Sequence, residues 1–123
     1  MSATQALPRE ELLRAGTAIV GCPPLALTKW RGHSNRIYVA GIYLPKDLDP
    51  ADLIDAVVIA VRRDGSGNSN GLAQPVRVTL CPDVATARAF LAVLPKAVTE
   101  LHLHRTEPSA KERALIVQDL QPE

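Results

Sequence analysis

The stretch "VVIAVRRDGSGNSNGLAQPVRVTL", Val57 to Leu80, decides the fold. Two valine-rich runs flank a polar segment of Gly, Ser and Asn, with Arg62 and Arg63 at its entrance. β-Branched residues are stiff at χ1 and fit a pleated surface, so both runs favour extended chain. The preceding residues offer a helix start instead, with Asp49 as an N-cap and Pro50 behind it. A helix through Ala56–Val61 would be apolar almost all round and would need complete burial, which a small domain cannot easily supply. The balance predicts a turn at 47–54, a strand at about 55–63 and a hairpin over 57–80 with "GSGNSNGLAQ" as a mobile tip.

Downstream, "PVRVTL" alternates, with Val76, Val78 and Leu80 on one face and Arg77, Thr79 and Cys81 on the other. Pro82-Asp83 opens a helix whose apolar stripe is Val84, Ala87, Phe90, Leu91 and Leu94, and Pro95 ends it. "VTELHLHR" reads as a strand with Leu101 and Leu103 inward and Glu100, His102 and His104 outward. "TEPSAKE" is a loop, and "RALIVQDL" reads as a final strand.

Upstream, "RIYVAGIYL", Arg36 to Leu44, is the clearest strand, and Gly41 within it suits a bulge or bend. "GHSN" is a turn, and "LALTKWR", Leu25 to Arg31, reads as an edge strand. "TAIVG" is a short strand cut off by Cys22-Pro23-Pro24. Pro8, Arg9, Glu10, Glu11, Leu12 and Leu13 read as a short helix closed by Gly16. Two parts result: an N-terminal arm, 1–33, with a short helix and an edge strand, and a domain over 34–123.

At 123 residues the chain can bury one modest core. Its 46% apolar and 22% charged residues fit a globular domain, and with 3% aromatic residues the core must be aliphatic. A net charge of +1 supplies no global field for nucleic acid or membrane. No apolar run approaches the roughly 20 residues of a membrane span. The polar start carries no signal-peptide core, and the two cysteines, Cys22 and Cys81, then fit reduced thiols in a cytoplasmic protein.

The order from Ser34 is strand, strand, long loop, strand, helix, strand, loop, strand. "SNRIYVAGIYL" carries Asn35, Arg36, alternating Ile37 and Val39, then Gly41. "AVVIAVRRD", "VRVTLCPDVATARAFL" and "ERALIVQDLQ" follow at matching intervals. This series resembles bacterial single-stranded-DNA-binding proteins and primosomal replication protein B, over roughly residues 34–121. The resemblance implies a mainly β fold with one or two helices, a five-stranded OB-like Greek-key barrel preceded by the N-terminal arm. An α+β sandwich is the alternative. In such barrels bases stack on aromatics of the second to fourth strands, whereas Ala56–Val61 and Val76–Cys81 contain no aromatic residue.

Function is expected at the surface. Lys29, Arg31, His33 and Arg36 crowd one stretch with Trp30, Arg62 and Arg63 stand at the hairpin neck, Arg77 lies on the returning strand and Arg105 on the strand after the helix. A cationic groove holds a phosphate backbone by counterion release, and Trp30, Tyr38 and Tyr43 are the only stacking candidates near it. The candidate nucleic-acid-binding set is Lys29, Trp30, Arg31, Arg36, Tyr43, Arg62, Arg63, Arg77 and Arg105. The same charges also read as ordinary solvated strand edges. The glycine-rich tip lacks the Gly-Lys-Ser/Thr end of a phosphate loop. His102 and His104 share a strand face, but a zinc site needs three or four ligands. No nucleophile, base and orienter stand together. The expectation is therefore a non-enzymatic accessory protein of DNA replication that binds single-stranded DNA, without cofactor or metal and away from membranes. The alternative is a protein-interaction module that forms a homodimer or docks a partner through its β-edges.

Overall fold

The structure, a computed structural model, describes residues 8–12, 26–63, 73–105 and 109–122. One antiparallel sheet organises them. In chain order its strands are β1 (Arg9–Leu12), β2 (Ala26–Arg31), β3 (Ile37–Tyr43), β4 (Val57–Arg63), β5 (Ala73–Leu80) and β6 (Glu100–His104). Helix α1 (Val84–Ala92) joins β5 to β6, and helix α2 (Ala110–Asp119) follows β6. The sheet order is β1-β2-β3-β6-β4-β5.

The mainly β architecture with two helices is what the chain adopts, as an open antiparallel sheet in keeping with an OB-like α+β fold. Among the described residues the sheet is open and six-stranded, with β6 between β3 and β4 and the short β1 extending it beyond β2. The sheet curls enough to bring its edges β1 and β5 near each other without pairing.

The decisive hairpin is as expected. Val57 pairs with Leu80 and Ile59 with Val78, and the acidic segment before β4 forms two short 3₁₀ turns, Pro45–Asp47 and Pro50–Leu53. The register slips between Ala60 and Val61, so Val76 is the extra residue of a bulge beside Pro75. A proline that cannot donate to a ladder is tolerated there because β5 is an edge. The tip expected to be mobile lies outside the described residues, apart from Ala73 and Gln74, which belong to β5. "TAIVG" and Cys22 also lie outside them.

β4 builds two cores at once. Val58 and Ala60 join Tyr43, Leu53, Phe90, Leu101 and Leu103 under α1. Val57, Ile59 and Val61 join Trp30, Tyr38, Val78, Ile116 and Leu120 under α2. The helices therefore cover opposite faces, which is why β4 and β6 are buried on both sides. α1 matches the expected helix, capped by the Asp83 carboxylate accepting from the Thr86 amide at 2.7 Å, although Val84 on its stripe is half-exposed.

Five expectations need correction. Residues 113–120 lie in α2 and its C-cap, not in a strand. Ser109 caps it by accepting from the Lys111 and Glu112 amides, and Ile116 and Leu120, one helical turn apart, enter the core together. Residues 9–12 form β1, not a helix, because pairing with β2 satisfies their backbone. β2 is paired on both sides, so it is not an edge strand, and residues 1–33 are not a separate arm where described: β1 and β2 belong to the common sheet. His102 and His104 are buried, not outward, because α2 and the curl of the sheet cover that face. The cap gives a direct test: Ser109→Ala is expected to lower stability by about 1 kcal/mol in urea unfolding, and an unchanged midpoint would mean that packing of Ile116 and Leu120 alone holds α2.

Candidate functional site

The residues singled out for nucleic acid do not assemble into one surface. Trp30 and Tyr43 are core residues, at 1% and 3% exposure, so neither offers a ring face for stacking. The Trp30 indole N–H donates to His102 Nδ1 at 2.9 Å. An indole can only donate, so His102 Nδ1 is the acceptor and the imidazole is the neutral form protonated at Nε2. That Nε2–H donates to Glu100 Oε1 at 2.7 Å, so this contact is a hydrogen bond of a neutral ring and not an ion pair.

Arg63 completes the chain. Its Nε donates to Glu100 Oε2 at 2.6 Å and one terminal nitrogen to Glu10 Oε2 at 2.9 Å. Hydrogen bonding to Glu100 pushes the Arg63 guanidinium further up, so it stays charged throughout. Burial works to raise the Glu100 carboxyl, but hydrogen bonds from His102 and Arg63 outweigh it and bring the pKa down to about 2. The network ties β1, β2, β4 and β6 together from inside the curl, and the Arg63 charge is spent on the Glu10 and Glu100 carboxylates.

Arg105 is also committed, donating to the carbonyls of Asp52 at 2.7 Å and Ile54 at 3.2 Å. Arg62, exposed, bonds Gln74 across the hairpin. Arg31 donates to Asn35, which holds the 32–35 turn with a left-handed φ of 76°. Lys29 is partly buried on β2, and Arg36 is exposed at the end of the turn.

That turn is clamped to α2. The Asp119 carboxylate accepts from the Ser34 amide at 2.7 Å, the Ser34 hydroxyl at 2.6 Å and the Tyr38 hydroxyl at 2.7 Å. Burial works to raise the Asp119 carboxyl, but the Ser34 and Tyr38 hydrogen bonds hold it below the usual range. Burial and the bond to Asp119 push Tyr38 up to about 12. An open cavity of about 420 Å³ lies beside the clamp, lined by Arg36, Glu112 and Leu115 among others. The His33 ring bonds the Gln121 carbonyl at 2.9 Å, and the Ser34 hydroxyl bonds Asp119 directly. No imidazole therefore stands between Ser34 and its carboxylate to accept its proton.

A different surface has the shape of a binding site. On the α1 side of the sheet, the edge strand β5 and helix α1 bound two adjoining apolar cavities of about 200 and 240 Å³. Arg77, Phe90 and Val93 line both, with the Arg77 guanidinium 5.5 Å from the centre of the Phe90 ring. Val76 and Val93 are exposed beside them, Val93 at 68%. Burial pushes the Cys81 thiol in the second cavity up, so it stays protonated and unreactive.

The backbone of β5 completes this surface. The Val61 carbonyl accepts from the Thr99 amide before β6, so alternate residues Val57, Ile59 and Val61 turn their polar groups toward β6. Val78, opposite Ile59, therefore turns its own groups outward from the sheet. Its carbonyl accepts from the Gln121 side-chain amide at 3.1 Å. The sequence reading missed Val76 and Val93 as surface residues. The legible signal was Val93, an aliphatic residue off the helix stripe. No family model, curated protein or solved structure matches this chain, so its assignment rests on these features of the molecule itself.

Proposed function

We propose that the protein is a non-enzymatic interaction module that takes an extended segment of a protein partner along β5 and into the groove against α1. The two joined apolar cavities beside an edge strand carry this reading. Strand addition needs outward backbone groups for affinity and pockets for alternate side chains for specificity. Val78 supplies the first and the cavities the second. Pro75 has no amide to donate, so backbone pairing is confined to the Val76–Leu80 end, and the incoming strand displaces the Gln121 amide from Val78.

The non-enzymatic reading is supported by the Ser34 hydroxyl, which meets the Asp119 carboxylate with no imidazole between them, and by the Cys81 thiol, which burial keeps protonated. Single-stranded DNA is the weaker reading, since Trp30 and Tyr43 are buried and Arg63 and Arg105 are bonded internally. Among the described residues no helix is long and apolar enough to cross a membrane. A cytoplasmic setting fits the free thiol of Cys81.

The test is peptide selection from a random displayed library, followed by amide shift mapping. Enriched peptides are expected to shift β5 and α1 resonances and to lose binding to Val93→Asp. Peptides that map elsewhere, or none enriched, would remove the reading. Salt-sensitive binding of a labelled single-stranded oligonucleotide at about 50 mM salt, lost on Arg36→Ala with Arg62→Ala, would favour DNA.

A further inference from the structure

The groove is selective in its chemistry as well as apolar. Among the described residues Arg77 is the only charged one lining either cavity, and it lines both. Among the described residues no carboxylate forms an ion pair with it. Its guanidinium is held over Phe90, at the junction of the two cavities. One cavity is bounded by Val76, Leu94 and Val98, the other by Thr79, Cys81 and Thr86.

A strand added to β5 repeats its facing every second residue, about 6.6 Å along the chain. The residue opposite Arg77 shares its face, on the α1 side, and so do the residues two before and two after. Those two side chains lie over the two cavities. We infer that the partner segment has the pattern aliphatic-x-acidic-x-aliphatic, with the acidic residue seated on Arg77 and one aliphatic side chain in each cavity. A basic residue at the centre meets like charge, and a neutral one leaves the guanidinium without a counter-charge as the segment displaces water. This inference rests on the groove reading above and adds the chemistry of the occupant.

Three short capped peptides that share leucine and valine flanks and carry Glu, Gln or Lys at the centre test it, by calorimetry and amide shift mapping on the full chain. The Glu peptide is expected to bind about tenfold more tightly than the Gln peptide and the Lys peptide more weakly still. Arg77→Glu, at an exposed position, should invert the order while leaving the circular dichroism spectrum unchanged. Equal affinity of the three peptides with shifts at Val76, Phe90 and Val93 would overturn the acidic preference and leave the groove standing. If no peptide shifts those residues, both the groove and the preference fail. An order unchanged by Arg77→Glu would also overturn the inference, because the preference would then arise elsewhere.

Discussion

Replacing Arg63 with methionine is expected to lower the unfolding free energy by about 3–5 kcal/mol, read from urea unfolding at neutral pH through Trp30 fluorescence. The side chains of Glu10 and Glu100 are 6% and 14% exposed, and Arg63 is bonded to both. Methionine keeps much of the volume but strands two adjacent carboxylates away from water. Breaking a buried ion cluster from one side leaves uncompensated charge, whereas removing all its charges together is far milder. The triple change Arg63→Met, Glu10→Gln and Glu100→Gln should therefore recover much of the loss. A loss under about 1 kcal/mol for Arg63→Met would mean that solvent screens the cluster.

The same cluster sets an acid limit. Glu100 has a folded pKa of about 2, below its unfolded value. Its stabilisation is thus complete above the unfolded carboxyl range and is lost as pH falls through that range toward about 2. Arg63→Met removes one of the bonds that lower this pKa, so the acid unfolding transition should move to higher pH.

Asp119→Ala is the second large effect, expected at about 1–3 kcal/mol, because it leaves the part-buried Tyr38 hydroxyl without its acceptor and gives up two charge-assisted bonds to the exposed Ser34 amide and hydroxyl. It should also lower the Tyr38 pKa from about 12, seen as phenolate absorbance appearing at lower pH. The clamp is tight: a methyl group at Gly32 would overlap the Asp119 carboxylate. Near wild-type stability with an unmoved Tyr38 titration would show that α2 is held by Ile116 and Leu120 alone.

What was legible in the chain was local. The valines of β4, the Pro45–Leu53 turns and the Asp83 cap state their structure within a few residues. α2 was misread because Leu115, Ile116 and Val117 mimic a strand, while the Ser109-x-x-Glu112 spacing that starts the helix was passed over. Alternation in β6 suggested one wet face, but a central strand beneath two helices has none. The buried partners of Arg63 lie on β1 and β6, and only the fold reveals that the arginine serves them. The groove joins β5 to the flank of α1 that carries Phe90 and Val93, a juxtaposition that no window of sequence contains.

The insertion of β6 between β3 and β4 also dictates an order of assembly. The β2–β3 and β4–β5 hairpins each join strands consecutive in the chain and can form while the rest of the chain is unfolded. Neither can meet the other until β6, much later in the chain, slots between them and pairs on both sides. Folding is thereby gated by a single long-range step, and the refolding time should lie on the order of milliseconds to seconds, as for chains dominated by non-local pairing.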